Sequence, residues 1–489
     1  MEFKRIFGSV MIKYRNMPMA TKASLWYVVC NVLQKGIVLL STPIFTRLMS
    51  TSEFGIYTIY QSWYSILVIF TSLGLYNSIY NNVLTKYPES SAKATSSMLG
   101  LSASITSILG IIFLLTYQIW EILTGLSAEL IGVMFLQMLF EPAIYFWMTR
   151  QRYEFKYKGV VALTLLNVIS STGFGILLVL FSSEKGNSRV YAYAGTQVVI
   201  GIILFVICFC KGRTFFSKRF WKYSLEFCIP LIPHYLSFSV LSQADRIMIG
   251  KMVGKSEAAI YGIAYSIAML MQIITNAVSN SFGPYTYQSI KARKFDSLRK
   301  TSSMLLIAMG LGCCLVMLFS PEMLHIFASK EYMDAIYIMP AVVASTYFMF
   351  LYPLFSIIEF YFEKPKFIMI ASSVGAMLNI LLNYLLIPVY GYYAAGFTTL
   401  ACYVLFAFAH YSFYKRILEE KNDEIENIYN TRIITFISIG VITAAVLSMW
   451  LYQWLMVRYL LIAIIVIIGI IKHKSLINRL KLIRNKEDK

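Results

Sequence analysis

Apolar stretches of membrane-spanning length recur along almost the whole chain. About 20 apolar residues suffice for a helix to cross a hydrocarbon core. In the first half such stretches fall near residues 24–45, 56–76, 97–117, 129–148, 160–181 and 190–210. In the second half they fall near 229–249, 258–281, 303–320, 335–357, 367–387, 393–413, 433–452 and 455–471. The pattern predicts an all-α integral membrane protein of about 14 transmembrane helices.

Two short stretches of the first half recur in the second half in the same order. SEFGIYTIYQS at 52–62 matches SEAAIYGIAYS at 256–266 at six of eleven positions, and TSSML at 95–99 recurs at 301–305. The two offsets are nearly equal, which indicates a duplicated block. Because the block holds an even number of spans, both copies should cross the membrane in the same direction. We therefore expect two parallel six-helix repeats forming two lobes, followed by two extra helices, an architecture typical of transporters.

This organisation leaves no room for a separate soluble domain. It comprises a basic N-terminal segment (1–23), an N-lobe (24–210), a basic connector (211–228), a C-lobe (229–413), a second connector (414–432), two further spans (433–471) and a basic tail (472–489). The first apolar stretch is long and follows several Lys and Arg residues, so we expect it to anchor in the membrane rather than to be a cleaved signal peptide.

Composition and charge predict how the chain is oriented in the membrane. The chain is 58% hydrophobic and 14% charged, with a mean hydropathy of +0.66. Most of the 43 Lys and Arg residues fall on one side of the membrane, in segments such as 150–158, 211–222 and 291–300. The positive-inside rule then places both termini in the cytoplasm. A basic face beside anionic lipid explains the net charge of +19 without a nucleic-acid partner. The seven cysteines lie in or beside apolar spans, where we expect packing and not disulfides or a metal site.

Span 1 carries polar residues on one helical face. Asn31, Lys35, Thr42 and Thr46 are spaced 4, 7 and 4 residues apart, so they share a stripe. An ionisable residue inside a span is a functional candidate by default. The alternative is that Lys35 snorkels to the interface or pairs with Glu141.

Span 7, the repeat partner of span 1, also has a polar side. His234 and Asp245 lie nearly on one face, while the adjacent Arg246 points in another direction. Arg47 occupies the outer end of span 1 as Arg246 does in span 7. Interface anchoring is the alternative for both arginines, and ordinary packing is the alternative for His234. Glu141, Asp245 and Glu359 are the carboxylates that could couple transport to Na+ or H+; no other cofactor is expected.

The run NVLQKGIVLLSTPIFTRLMSTSEFGIYTIYQSW (31–63), together with ADRIMIGKMVGKSEAAIYGIAYSIA (244–268), resembles the polysaccharide transporter family. This family comprises the flippases of O-antigen, capsule and exopolysaccharide repeat units, and it shares a superfamily with multidrug antiporters and lipid II flippases. The resemblance extends over the whole chain in length, span number and duplication. Its specific part is confined to the two quoted stretches.

The resemblance implies a non-enzymatic protein of the bacterial inner membrane that moves a polyprenyl-diphosphate-linked oligosaccharide to the outer leaflet by alternating access. A cationic cavity would receive the diphosphate, with Lys35, Arg47 and Arg246 at the basic positions and Asp245 at the acidic one. Asn31 and His234 complete the expected substrate-binding set. Membrane lipid and polysaccharide polymerase or assembly proteins are the expected partners.

Two other classes of function remain as alternatives. A cation-coupled multidrug antiporter of the same superfamily would line its cavity with acid rather than base. A membrane enzyme such as a glycan polymerase or ligase would need a large outer loop with catalytic groups, and the outer connectors are only about ten residues long.

Overall fold

The computed structural model of the chain describes residue 17 and residues 19–421 and 428–484. The predicted N-terminal segment (1–23), the connector 414–432 and the tail 472–489 lie partly outside the described residues. The described residues form 19 α-helices and two short 3-10 helices, and no β-strand occurs among them. They divide into two compact units, with the boundary between Tyr235 and Leu236.

The first unit contains nine helices and the start of a tenth. They are α1 (Met19–Leu48), α2 (Thr51–Ser72), α3 (Tyr80–Lys86), α4 (Ser91–Leu115), α5 (Tyr117–Thr124), α6 (Ala128–Tyr153), α7 (Tyr157–Phe181), α8 (Lys185–Gly212), α9 (Lys218–Cys228), a 3-10 helix (Ile229–Leu231) and the first residues of α10 (Ile232–Met252).

The second unit contains the rest of α10 and the remaining helices. They are α11 (Lys255–Ala268), α12 (Leu270–Lys291), α13 (Phe295–Leu318), α14 (Ser320–Phe327), a 3-10 helix (Lys330–Tyr337), α15 (Met339–Tyr361), α16 (Pro365–Tyr390), α17 (Tyr393–Glu420), α18 (Thr431–Leu451) and α19 (Leu455–Arg484).

Twelve helical segments of the described residues are long and apolar enough to cross a membrane. They coincide with twelve of the predicted spans, and the other two predictions coincide with α2 and with the shorter apolar part of α19, Leu455–Ile471. The predicted all-α membrane fold is therefore confirmed. Predicted span 258–281 is not one regular helix, because α11 ends at Ala268 and α12 begins at Leu270. At this break the amide of Met269 bonds to the carbonyl of Tyr265 and its carbonyl accepts from Gln272.

The recurring stretches occupy equivalent helices of the two units. Residues 52–62 lie at the start of α2 and residues 256–266 at the start of α11, while the two TSSML copies lie near the starts of α4 and α13. Helix packing also repeats, because α6 packs on α8 in the first unit and α15 packs on α17 in the second. Equivalent pairs of helices therefore pack together in the two units.

Gly201 allows the close packing of α8 on α6. A Cβ at this position would lie 2.7 Å from the backbone carbonyl carbon and oxygen of Phe140. The approach brings Gln197, one turn earlier on α8, and Glu141, next to Phe140 on α6, into the lining of one cavity.

Candidate functional site

A polar cavity of about 310 Å³ lies within the first unit. Its charged lining residues are Glu141 and Arg152 on α6 and Arg189 on α8. The amide side chains in the lining are those of Asn31, Gln34, Asn167 and Gln197. Asn167 and Gln197 bond reciprocally, at 2.9 Å from Asn167 Nδ2 to Gln197 Oε1 and 2.8 Å from Gln197 Nε2 to Asn167 Oδ1. The cavity wall thus carries hydrogen-bonding side chains inside an apolar helix bundle.

Glu141 lies in the wall of this cavity and is surrounded by neutral donors. Its carboxyl accepts hydrogen bonds from the hydroxyls of Tyr64 at 2.5 Å and Tyr145 at 2.9 Å, and from Nε2 of Gln137 at 2.6 Å. Tyr145 in turn stacks on Tyr76 at 4.7 Å between ring centroids. The suggested pairing of Lys35 with Glu141 is not formed, because phenols and an amide occupy the carboxyl.

Arg189 is a buried cation in the first turns of α8. Its side chain is 7% exposed, and its Nη1 donates to the carbonyl of Ser171 at 3.1 Å. The guanidinium carbon lies 3.7 Å from the ring centroid of Phe45 and 4.8 Å from that of Tyr57. Its Nε is buried without a hydrogen-bond partner, and no carboxylate lies within ion-pair distance among the described residues. Arg189 therefore leaves a positive charge in the cavity that neighbouring protein groups neutralise only through ring faces and dipoles.

Arg152 connects this cavity to a second one. It lies in the last turn of α6, and its guanidinium is 5.8 Å from the ring centroid of Tyr27. Arg152 also lines a more open space of about 640 Å³. The other residues lining that space are Tyr76, Asn77, Asn81, Thr149, Tyr153 and Phe155. Aromatic faces and amide groups beside a guanidinium provide both stacking surfaces and hydrogen-bonding groups.

The structure separates the residues singled out on span 1. Asn31 lines the polar cavity, whereas Lys35 and Arg47 are exposed on α1 and do not line it. Thr46 is buried, with its hydroxyl 3.3 Å from the carbonyl of Pro43. His234 is half-buried at the start of α10, with its ring 5.8 Å from that of Tyr235. Of the predicted first-unit residues, only Asn31 and Glu141 therefore line one cavity together.

Asp245 lies at the centre of a buried polar cluster of the second unit. Tyr261 on α11 donates to it at 2.5 Å, Thr399 on α17 at 2.6 Å and Asn383 on α16 at 2.6 Å. Asn379 accepts from Asn383 at 3.3 Å. The carboxyl is 0% exposed and all of these donors are neutral. Oxygen atoms from a carboxylate, amides and hydroxyls are the ligands that hard cations prefer.

Arg246 does not contact the carboxyl of its neighbour. Its Nη1 donates to Oε1 of Gln243 at 2.5 Å and to the carbonyl of Ser242 at 3.2 Å. Its guanidinium carbon lies 4.2 Å from the ring centroid of Tyr265. The half-buried cation is thus held along its own helix and over an aromatic face.

Glu359, the third predicted carboxylate, pairs with a histidine. Oε1 of Glu359 on α15 lies 2.6 Å from Nδ1 of His410 on α17, and both side chains are 0% exposed. Two more residues of these sites, Arg152 and Arg189, were not among the sequence candidates. Both are basic residues at the boundary of a predicted span, and that position was the sequence feature that could have identified them.

An apolar groove of about 1270 Å³ runs along the second unit. Residues of α13, α18 and α19 line it, most of them Ile, Leu, Val and Met, and it has Asp296, Arg299 and Lys300 at one end. The groove therefore joins a long hydrocarbon-like surface to a charged end.

Two helical units with many membrane-spanning helices and polar sites within the helix packing define a multi-pass membrane protein. The fold is that of the lipid II flippase MurJ in an inward closed conformation, with a TM-score of 0.69, 14% identity, and coverage of 93% of this chain and 99% of that chain. An inward-facing multidrug resistance transporter of the MATE family gives a TM-score of 0.56 at 15% identity, covering 81% of this chain and 98% of that chain.

The polysaccharide biosynthesis protein family model matches residues 20–289, and the MatE family model matches residues 230–385. A protein of the Lsg locus of Haemophilus influenzae is 20% identical over 369 residues, which are 73% of this chain and 89% of that protein. The chain belongs to the polysaccharide biosynthesis protein family, as a polysaccharide transporter of the superfamily that also holds the multidrug exporters. The resemblance inferred from residues 31–63 and 244–268 is confirmed.

Proposed function

We propose that this transporter is a flippase that moves a polyprenyl-diphosphate-linked oligosaccharide repeat unit from the cytoplasmic to the outer leaflet of the bacterial inner membrane. The proposed substrate is an O-antigen, capsule or exopolysaccharide repeat unit. The proposal is supported by membership of the polysaccharide family and by the fold shared with a protein described as a lipid II flippase.

The observation that carries the proposal is the buried guanidinium of Arg189 in a polar cavity without a carboxylate partner. A buried cation is stable only if something compensates its lost hydration. A diphosphate supplies that compensation through charge-assisted hydrogen bonds and cannot cross hydrocarbon unpaired. Arg152, at the other end of the same cavity, offers a second guanidinium.

The rest of the substrate also has matching surfaces. The space beside Arg152 carries the aromatic rings and amides with which sugars stack and hydrogen-bond. The groove of the second unit along α13, α18 and α19 is apolar, as a polyprenyl chain requires. Sugar, diphosphate and lipid would each meet a surface of their own chemistry.

Orientation and coupling complete the proposal. The basic segments 150–158, 211–222 and 291–300 support cytoplasmic termini through the positive-inside rule. The cluster around Asp245 supports a coupling role for a bound Na+ or H+, because a buried carboxylate whose hydrogen-bond donors are all neutral has no cationic partner in the cluster. A polysaccharide polymerase or assembly protein would take over the translocated product.

A second candidate is a cation-coupled exporter of organic cations. The observations that favour it are the MatE match over residues 230–385 and the two buried carboxyls of Glu141 and Asp245. In that case the acidic groups would face the substrate and Arg189 would be structural.

Reconstitution into proteoliposomes tests both candidates. A fluorescent polyprenyl-diphosphate oligosaccharide and a lipophilic organic cation are offered in parallel to the wild-type protein and to Arg189→Met. Movement of the lipid-linked sugar that falls in Arg189→Met supports the flippase. Export of the organic cation by both proteins, with no lipid movement, overturns it.

A further inference from the structure

A further cavity of the first unit, of about 170 Å³, lies where the start of α4 meets the ends of α6 and α8. We call it the helix-end cavity. Its lining includes Arg150 near the end of α6, Lys156 in the following loop and Lys211 near the end of α8. None of the three lines the cavity around Arg189 or the space beside Arg152. These cations therefore have no task in the substrate path proposed above.

The loop after α6 positions one of these cations beside another. The amide of Lys156 bonds to the carbonyl of Gln151 at 2.8 Å, and the amide of Phe155 bonds to the carbonyl of Arg152 at 3.0 Å. These are the two hydrogen bonds of a Schellman motif, whose second-last residue takes a left-handed conformation, as Phe155 does with a φ of 54°. The motif turns the chain sharply at the end of α6, so Lys156 lies beside the last turn, which carries Arg150.

Positive charge exceeds negative charge in the lining of the helix-end cavity. Its carboxylate, Glu154, pairs with Nε of Arg150 at 3.0 Å and with Nζ of Lys156 at 2.6 Å. The two Nη groups of Arg150 form no hydrogen bond with another described residue. The ammonium of Lys211 has no ion pair or hydrogen bond within the described part of the chain. Three cations and one carboxylate leave two positive charges in excess.

Neutral groups complete the lining and supply further hydrogen-bonding atoms. The hydroxyls of Tyr80 and Thr95 lie 2.6 Å apart, and Gln151 also lines the cavity. Trp147 and Phe146 form part of its apolar side. Cations next to aromatic groups at the end of a membrane-spanning bundle match the level at which lipid headgroups meet acyl chains.

The ligand that suits these groups is a phosphate group. Guanidinium and ammonium groups bind phosphate oxygens through charge-assisted hydrogen bonds. A volume of 170 Å³ corresponds to about six water molecules at roughly 30 Å³ each. This is room for one phosphate group, but not for a diphosphate that carries an oligosaccharide. The excess positive charge disfavours a metal ion or an organic cation.

The position of the cavity indicates where the phosphate comes from. The three cations belong to or adjoin the basic segments 150–158 and 211–222, which lie on the cytoplasmic side in the proposed topology. Anionic phospholipids of the inner leaflet carry phosphate at this level, and basic pockets between membrane-spanning helices on this side bind such headgroups. Soluble phosphate of the cytoplasm offers the same chemical group.

We propose that Arg150, Lys156 and Lys211 form a phosphate-binding site that is separate from the site of the transported substrate. The phosphate belongs to an anionic phospholipid headgroup or is free in the cytoplasm. Because the three cations lie on α6, on its following loop and on α8, a bound phosphate would hold these helix ends together. A ligand that binds only the folded state also raises the Tm as its concentration increases.

Binding to the full-length protein in detergent tests the site without transport. The protein is titrated separately with phosphatidylglycerol, with phosphatidylcholine of the same acyl chains, and with inorganic phosphate at constant ionic strength. Native mass spectrometry counts bound lipid, and thermal unfolding reports all three ligands. The variants are Arg150→Gln, Lys211→Gln and the charge-conserving Lys211→Arg. Lys218→Gln removes an exposed cation of α9 that does not line the cavity, so it is the matched control.

The site predicts a specific pattern among these variants. Removal of one lining cation, in Arg150→Gln or Lys211→Gln, should weaken binding of the phosphate-bearing ligand about fivefold. Lys211→Arg and the control Lys218→Gln should bind like the wild type. Lys211→Gln should fold normally, because the side chain that it replaces contacts no charged partner among the described residues.

The ligands distinguish the sources of the phosphate. Tighter binding of phosphatidylglycerol than of phosphatidylcholine, weakened in Lys211→Gln, supports the site and assigns it to a lipid headgroup. A rise of the Tm with inorganic phosphate that is lost in Lys211→Gln supports the site and assigns it to soluble phosphate.

Three results overturn the proposal. One is saturable binding of none of the ligands by the wild type. Another is equal affinity of Arg150→Gln, Lys211→Gln and Lys218→Gln for every ligand, which would mean that only the general basic charge of this face acts. The third is displacement of bound phosphatidylglycerol by the polyprenyl-diphosphate oligosaccharide in the wild type but not in Lys211→Gln, which would make the cavity part of the substrate path.

Discussion

Replacing Arg189 with methionine separates the two roles that a buried cation can have. A structural cation stabilises the fold, so its loss should lower stability and transport together. Burying a substrate-binding cation costs free energy, and only the bound substrate offsets that cost. Arg189 donates to the carbonyl of Ser171, lies over the rings of Phe45 and Tyr57, and also interacts with the Tyr57 hydroxyl. This environment fits the second role.

The size of the effect on transport follows from the lost contact. A hydrogen bond to a charged group contributes about 1.5–3 kcal/mol. Since 1.4 kcal/mol corresponds to a factor of ten, Arg189→Met should raise the lipid-linked substrate concentration for half-maximal transport by about 10 to 150-fold.

The same substitution should have little effect on the stability of the fold. Replacing a buried ion pair with apolar residues of similar volume is often neutral or stabilising by about 1–4 kcal/mol, and a buried cation without a carboxylate partner has still less compensation for its lost hydration. Loss of the contacts with the two rings opposes this by about 0.5–2 kcal/mol. Because the two contributions are of similar size and opposite sign, we expect the Tm of Arg189→Met in detergent to stay close to that of the wild type.

Thermal unfolding and proteoliposome transport are measured on the same preparations. Lys222→Met, which removes an exposed cation of the first unit, is the matched control and should change neither quantity. A Tm that falls in proportion to transport would refute the reasoning, as would normal transport by Arg189→Met.

Three further predictions address other parts of the molecule. Asp245→Asn should abolish coupled transport and lower the free energy of unfolding by about 1–3 kcal/mol for each buried donor left without its acceptor, as chemical denaturation would measure. Gly201→Ala should lower the Tm by forcing α8 away from α6, because its Cβ would lie 2.7 Å from backbone atoms. Gly195→Ala, on the same helix with nothing within 4 Å of its Cβ, should not lower it. The hydrogen bond from Lys156 and the one from Arg150 lower the pKa of Glu154. Its contribution to stability is therefore present at neutral pH and disappears as the pH falls through this lowered value, so Glu154→Gln should be less stable than the wild type only at the higher pH.

Each of these has a result that would contradict it. Coupled transport by Asp245→Asn at the wild-type rate would remove the carboxyl from the coupling site. Equal melting of the two glycine variants would mean that α6 and α8 can separate freely. A pH-independent difference between Glu154→Gln and the wild type would show that the carboxylate charge does not matter there.

The fold could be predicted from the sequence because each span can be recognised from its own residues. Some 20 consecutive apolar residues identify a helix without knowledge of its neighbours, and the two copies of TSSML place corresponding helices in both units. The break at Met269 was not predictable in this way, since neither Gly nor Pro marks it. It depends on how α11 and α12 pack.

The sites were less predictable because they depend on contacts between distant residues. Glu141 was considered as a partner of Lys35, yet its carboxyl bonds to Tyr64, which lies 77 residues earlier in the chain. Asp245 was singled out from the pattern of its own helix, but its partners Asn383 and Thr399 lie 138 and 154 residues away. His410 lies within an apolar run, and its contact with Glu359 joins residues that are 51 positions apart. Residue spacing along one helix cannot reveal such pairs.

The helix pairs shared by the two units, α6 with α8 and α15 with α17, also have a historical meaning. A gene duplication gives each copy the same set of packed helices. Side chains inside one copy can then change while the helices of both copies keep their packing. The first copy came to surround a carboxyl with phenols, and the second came to pair one with an imidazole. The surroundings of these carboxyls thus differ between the two units, whereas the same pair of helices packs together in each.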